Sequence, residues 1–168
     1  MATSSETIYL AGGCFWGVEA YFKLVNGIID TEVGYCGGNF EDPTYNDVTT
    51  GITGHAETTK VIFDPSLVSL EDLLKHFWRA HNPTSLNKQG NDIGSQYRSA
   101  IFYVNDEQKE VIENSLNEAQ KTYEKPIVTE ISPFKKFFKA EEYHQDYLAK
   151  NPFGYCHIDL KLAQKPLR

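Results

Sequence analysis

The sequence predicts a single α+β domain spanning 1–168: a mixed, ferredoxin-like β-sheet with helices packed on it and long functional loops. Three observations carry the prediction. The chain has 168 residues, the length of one domain, and no composition break divides it. Apolar residues make up 40% and charged residues 23%, so the chain can bury a core without disulfide or metal staples. Short apolar runs alternate with helical stripes in the order βαββαβαβα, and because two strands follow one another the sheet cannot be wholly parallel.

Each element has a local reason. Residues 7–11 form a short apolar strand, punctuated by Gly12-Gly13. Over 15–25 the apolar residues lie nearly all round, as in a buried helix, and Asn26-Gly27 stops it. A strand over 28–35 ends at Gly37-Gly38, and a loop rich in Gly, Thr and Asn runs over 37–56, a length usually reserved for function. A strand over 58–63 is closed by Asp64-Pro65. Ser69 followed by Asp72 has the capping-box spacing, and Leu70, Leu73, Leu74, Phe77 and Trp78 form the helical stripe that follows. Asn82-Pro83 stops that helix and opens a second polar loop over 83–96. A strand over 99–104 leads to a helix capped by Asn105, with Val111, Ile112, Leu116 and Ala119 on its inner face. Lys125-Pro126 breaks it before a strand over 127–131 and a short helix over 141–149. Residues 1–5 read as flexible. Residues 150–168, with scattered prolines and little periodicity, read as a mobile tail.

Charge and cysteine usage exclude several function classes. Sixteen basic against 23 acidic residues give a net charge of −7, the wrong sign for a general nucleic-acid binder. No run of about 18 apolar residues could span a membrane. The first six residues lack the basic-then-apolar pattern of a secretory signal. Three widely spaced cysteines are too few for a disulfide scaffold, which points to a reducing compartment, the cytoplasm. A monomer is the default expectation.

The sharpest local feature is Gly12-Gly13-Cys14-Phe15-Trp16-Gly17, where a strand hands over to a helix. A thiol there sits among unpaired N–H groups that stabilise a thiolate and lower its pKa. The position fits an inert buried cysteine in a tight turn equally well. Phe15 and Trp16 point about 100° apart on a helix, so both cannot face the same core surface, and Trp16 could wall an apolar pocket. Glu57 begins a strand after the glycine-rich loop; a carboxyl held near apolar residues gains a raised pKa and can serve as a general acid. His55 reads as a hydrogen-bonded structural histidine. Asp92 and Tyr97, within Asn91-Asp92-Ile93-Gly94-Ser95-Gln96-Tyr97-Arg98-Ser99, read singly as turn and core residues. Cys156, within Asn151-Pro152-Phe153-Gly154-Tyr155-Cys156-His157, could swing towards another thiol. Cys156 and His157 lack the further Cys or His that a zinc site needs. Cys36 reads as structural.

Gly13-Cys14-Phe15-Trp16-Gly17, Gly51-Ile52-Thr53-Gly54-His55-Ala56-Glu57, Asp92-Ile93-Gly94-Ser95-Gln96-Tyr97-Arg98-Ser99, Tyr143-His144-Gln145-Asp146-Tyr147-Leu148 and Gly154-Tyr155-Cys156, in that order, closely resemble the A-class peptide methionine sulfoxide reductases. The resemblance implies reduction of the S-epimer of methionine sulfoxide, free and in oxidised proteins, as antioxidant repair. It implies thioredoxin or another dithiol as external reductant, with no metal or organic cofactor. It makes Cys14 the nucleophile that becomes a sulfenic acid, with Phe15 and Trp16 around the substrate methyl group. Tyr45, Glu57 and Tyr97 bind or protonate the sulfoxide oxygen, and Asp92 positions the substrate. Cys156 becomes the resolving cysteine that closes a disulfide; no cysteine follows it to serve a second relay. Two rivals differ in class. A thiol peroxidase would need no methyl pocket, and Phe15-Trp16 beside Cys14 argues against it. In a non-catalytic binding module the cysteines would stay unlabelled by thiol reagents.

Overall fold

The computed structural model describes residues 5–167. Of the terminus expected to be flexible, residues 1–4 lie outside the described residues and Ser5 is exposed. In chain order the elements are β1 (Glu6–Gly12), α1 (Phe15–Lys23), β2 (Ile28–Cys36), α2 (Tyr45–Thr49), β3 (Ala56–Phe63), α3 (Leu70–Ala80), β4 (Lys88–Gln89), β5 (Asp92–Ile93), β6 (Ser99–Tyr103), α4 (Asp106–Gln120), β7 (Glu130–Pro133), β8 (Phe137–Lys139) and α5 (Tyr147–Lys150). Short 3-10 turns lie at Ser95–Tyr97, Glu142–His144 and Leu160–Gln164.

The main sheet has the order β7-β6-β1-β3-β2-β8. Of its four central strands, β6, β1, β3 and β2, each is antiparallel to its neighbour. With α1 and α3 they complete the ferredoxin-like βαββαβ unit that the order of elements predicts. β7 extends one edge parallel to β6 through the α4 crossover, and β8 extends the other antiparallel to β2. β1 is central and covered on both faces from Ile8 onward, where it reads as an apolar run through Ala11. Alternation along it splits the core in two. Ile8 and Leu10 meet Tyr21 and Phe22 of α1 and Leu73, Leu74 and Phe77 of α3. Tyr9 and Ala11 face the other way, among Ala100, Phe102 and the covering Phe134 and Phe137.

The helix starts follow their side-chain caps. Ser69 Oγ accepts from Asp72 N at 3.0 Å, and Asn105 Oδ1 accepts from Gln108 N at 2.8 Å. Of the expected inner face of α4, Ile112 is fully buried, and Val111, Leu116 and Ala119 pack against the same core.

Several expected elements are corrected. The strand over 127–131 shifts to Glu130–Pro133. The Ile127 amide is taken by Gln120 Oε1 and the Val128 amide by the Pro83 carbonyl, so neither joins the ladder. The helix over 141–149 is broken into a 3-10 turn and α5. Gln145 turns its side chain to the backbone of Val33, and Asp146 takes a left-handed φ of 54° while its amide donates to Glu19 Oε1. The two long loops are not structureless. The first holds α2, started by a Thr44–Asp47 capping box, and the second holds the β4–β5 hairpin. The three-residue edge strand β8 was too short to read.

The tail expected to be mobile is docked. Ile158 and Ala163 are buried in the main core. Arg79 donates to the carbonyls of Leu162, Lys165 and Pro166, the last two at 2.7 and 3.1 Å. Phe153, further back in the chain, stays fully exposed.

Candidate active site

The site is built around the β1–α1 turn. Gly13 has φ +100°, a conformation that disfavours any other residue, and a Cβ there would collide with His157 and Gln89. This bend delivers Cys14 to the N-cap of α1. Its carbonyl accepts from the amides of Gly17 and Val18, at 3.2 and 3.4 Å, and its sulfur faces the amides of Trp16 and Gly17. Those amides pull the thiol pKa down, as a helix start predicts. Yet Cys14 is only 7% exposed, and burial, with the Glu57 carboxylate and Asp92 adding to it, pushes the pKa well above the ordinary thiol value. The expectation of a lowered pKa is therefore corrected: loss of water outweighs the helix field.

Glu57 sits in β3 opposite Tyr35 of β2 and is 1% exposed. Its Oε1 accepts from the amide of Phe15 at 3.1 Å, while its buried Oε2 has no partner among the described residues. Burial pushes its pKa up to about 8, helped by Asp92 and opposed by the Phe15 amide. At neutral pH this carboxyl is therefore mostly protonated, and the free oxygen is available to donate.

Tyr45 opens α2. Its amide donates to Glu141 Oε2 at 2.9 Å, while Tyr35 donates its hydroxyl to Glu141 Oε1 at 2.8 Å. Tyr97 ends the 3-10 turn before β6, and its phenol lies beside that of Tyr45. Both phenols are raised by burial and by Glu57, so both remain hydrogen-bond donors at any physiological pH. Asp92, in β5, has a buried Oδ2 without a partner among the described residues, and the Tyr155 phenol faces this carboxylate.

Phe15 and Trp16 divide the roles open to them. Phe15 is buried under the site among Val33, Tyr35, Val48 and Ala140. Trp16 is half-buried, stacks on Tyr147 at 3.7 Å between ring centroids, and donates its indole N–H to His144 Nδ1 at 3.0 Å. The His144 ring in turn lies 4.5 Å from that of Tyr45. The eight predicted residues therefore share one neighbourhood, except that Cys156 approaches from the side. Its sulfur packs over Gly17, where a Cβ would come within 3.2 Å of it, on the face of α1 one turn beyond Cys14.

Glu141, His144, Tyr147 and Tyr155 join the site without a role legible in the sequence, although the segments of the last three carry part of the resemblance. Cys36 lies apart on β2, in the opposite core, with its thiol donating to the Lys136 carbonyl at 3.2 Å and its pKa pushed up to about 12 by burial. His55 ties the first loop together through the Gly38 amide and the Phe40 carbonyl. Among the described residues no group of three or more His, Cys, Asp or Glu side chains could hold a metal ion. None of their helices is long and apolar enough to cross a membrane.

Comparison with known proteins agrees with this geometry. Residues 6–168 match the family model described as peptide methionine sulfoxide reductase. A Clostridium botulinum protein named peptide methionine sulfoxide reductase MsrA is 56% identical over 155 residues, covering 92% of this chain and 99% of the relative. The reduced form of Mxr1 from Saccharomyces cerevisiae superposes with a TM-score of 0.86 at 41% identity, covering 90% of this chain and 88% of that one. Mxr1 in complex with Trx2 superposes with a TM-score of 0.62 at 27% identity, covering 88% and 89% of the two chains. A family match running from the first strand to the end of the chain, joined to identity above one half with a named reductase, makes this protein a member of the peptide methionine sulfoxide reductase family, a thiol-dependent oxidoreductase.

Proposed function

We propose that the protein reduces the S-epimer of methionine sulfoxide, free and in oxidised proteins, with Cys14 as nucleophile and Glu57 as acid. The observation that supports this most directly is the Glu57 carboxyl. It is buried, protonated at neutral pH, anchored by one oxygen to the residue after Cys14, and free at the other oxygen.

The chemistry follows from these groups. A sulfoxide oxygen leaves sulfur only when it is protonated. Glu57 gives its proton to that oxygen, and Tyr45 and Tyr97 donate hydrogen bonds to the charge that develops there. Cys14 attacks the sulfur, and its thiol proton returns to the Glu57 carboxylate. The attack forms an S–S bond between Cys14 and the substrate; the protonated oxygen then passes from the substrate sulfur to the Cys14 sulfur as the S–O and S–S bonds break, methionine leaves, and Cys14 holds a sulfenic acid. The substrate sulfur is reduced and the Cys14 sulfur oxidised by the same two electrons, with no net proton change. A thiol that stays protonated suits this route, because the reaction needs one proton on each partner. Trp16, with Phe15 beneath it, receives the methyl group, and Asp92 orients the rest of the substrate.

In the second half, Cys156 condenses with the sulfenic acid to a disulfide and releases water. An external dithiol then restores both thiols. The complex of yeast Mxr1 with Trx2 supports thioredoxin in that role. The protein works in this scheme as a cytoplasmic monomer and uses no metal or organic cofactor.

Stereochemistry tests it. Methyl pocket, oxygen donors and attacking thiol fix three directions at a chiral sulfur, so one epimer fits. With separated epimers of a methionine sulfoxide peptide and a dithiol, turnover is expected on S alone, and Cys14→Ser, folded, should have none. Comparable rates on R, or activity in Cys14→Ser, would overturn the assignment.

A further inference from the structure

His157 follows Cys156 and carries a buried ring nitrogen that none of the described residues uses. Its Nε2 lies 2.8 Å from the Gly12 carbonyl oxygen. A carbonyl only accepts, so Nε2 holds the ring proton and Nδ1 is a bare lone pair. That Nδ1 is buried and has no hydrogen-bond partner among the described residues. It packs against Gly17, where a Cβ would come within 3.2 Å of both His157 Nδ1 and Cys156 Sγ. Lone pair and thiol thus both fill the space that a side chain at position 17 of α1 would take, one turn beyond Cys14. In this arrangement the thiol donates to the Ile158 carbonyl at 3.3 Å, and a carbonyl cannot carry a proton away.

We propose that His157 is the proton acceptor for the resolving thiol: Nδ1 takes the Cys156 proton as that sulfur attacks the Cys14 sulfenic acid, and the Nε2–H bond to Gly12 holds the segment over α1. This rests on the reading of Cys156 as the resolving cysteine. The step balances. The Cys156–H bond breaks and an S–S bond forms. The Cys14 S–O bond breaks, and its hydroxide leaves as water with a proton from solvent. The imidazolium then returns its proton to solvent. Cys14 sulfur is reduced and Cys156 sulfur oxidised, with no outside oxidant.

Electrostatics at the position are consistent. Burial pushes the Cys156 thiol up, so few thiolates exist without a base. Burial lowers the His157 pKa against the opposing pull of Asp92 on β5 and of the Gly12 carbonyl, so the ring is neutral and basic near pH 7. His81, at the C-cap of α3, also faces the ring, and Arg79 and Asp159 line the groove it borders.

His157→Gln separates the two functions, because a glutamine amide reaches as far as Nε2, keeps an N–H for Gly12, and has no basic nitrogen. Reduced enzyme is mixed with a methionine-S-sulfoxide peptide without reductant, and methionine, sulfenic acid and disulfide are followed after quenching. In His157→Gln one methionine per enzyme is expected, then disulfide formation about 10²-fold slower than in wild type, the scale of a lost general base. Its rate should climb with pH through neutrality, following the thiol's own ionisation, where wild type is level. His157→Asn, too short for Gly12, is the second variant should the first misfold, and it should show the same delay. Wild-type disulfide rates and pH profile in the folded variant would overturn the proposal. Cys156→Ser is run beside them. Normal thioredoxin-driven turnover there would remove the resolving role itself, a failure distinct from that of His157.

Discussion

Glu57 joins two consequences of one cause, its removal from water. The folded protein holds the Glu57 proton up to about pH 8, whereas an unfolded chain releases it near ~4. The stability this group contributes is therefore complete below the unfolded value and is lost as pH rises through about 8. Glu57→Gln has no such loss. Its Tm relative to wild type should rise between pH 5 and 8 and level off above, by at least ~1 kcal/mol, or about 2–4 °C. Calorimetry across that range checks it, and a pH-independent difference would contradict the raised pKa. The same substitution should slow methionine formation by about 10²–10⁴, because Gln keeps the shape and cannot give a proton. The raised Glu57 was legible in the sequence: a lone carboxyl leaving a glycine-rich loop for an apolar strand has few fates. The state of Cys14 was not. A helix start is written locally, but the depth at which the turn is buried is set by β3, β5 and the tail together, and that depth reversed the sign of its shift.

Elements were legible where apolar period and capping agreed, as in α3 with Ser69 and the stripe from Leu70 to Trp78. They were missed where backbone groups are claimed from a distance. Nothing near Ile127 announces that Gln120 takes its amide, nor does the sequence around Asp146 announce that Glu19 does. The docked tail belongs to this class. Its few apolar residues look unstructured alone and become an element only through the guanidinium of Arg79, which donates to three of its carbonyls and to the Tyr21 hydroxyl. Arg79→Met keeps much of the apolar stem and removes these donors. Amide exchange over 158–167 should accelerate at least ~10-fold, matching the ~1–3 kcal/mol lost when buried acceptors go unpaired. Unchanged protection there would mean that Ile158 and Ala163 alone hold the segment.

At the scale of the whole molecule, the ferredoxin-like core was readable because its order of elements admits few arrangements. The meeting of distant motifs was not. Turn residues near 14, a strand at 57, a hairpin at 92 and a tail at 156 are separate lines of sequence until the sheet order β6-β1-β3-β2 draws their ends together. The two tryptophans fall on opposite sides of that design. Trp78 is buried in the main core with its N–H on Ser115 and touches none of the residues around Cys14 described above. Trp16 is stacked on Tyr147 and bonded to His144 at the mouth of the site. The protein thus carries its own optical reporter. Its emission should change when a sulfoxide docks or Cys14 is oxidised, survive Trp78→Phe, and vanish with Trp16→Phe, so that each half of a single catalytic cycle can be watched in unlabelled enzyme.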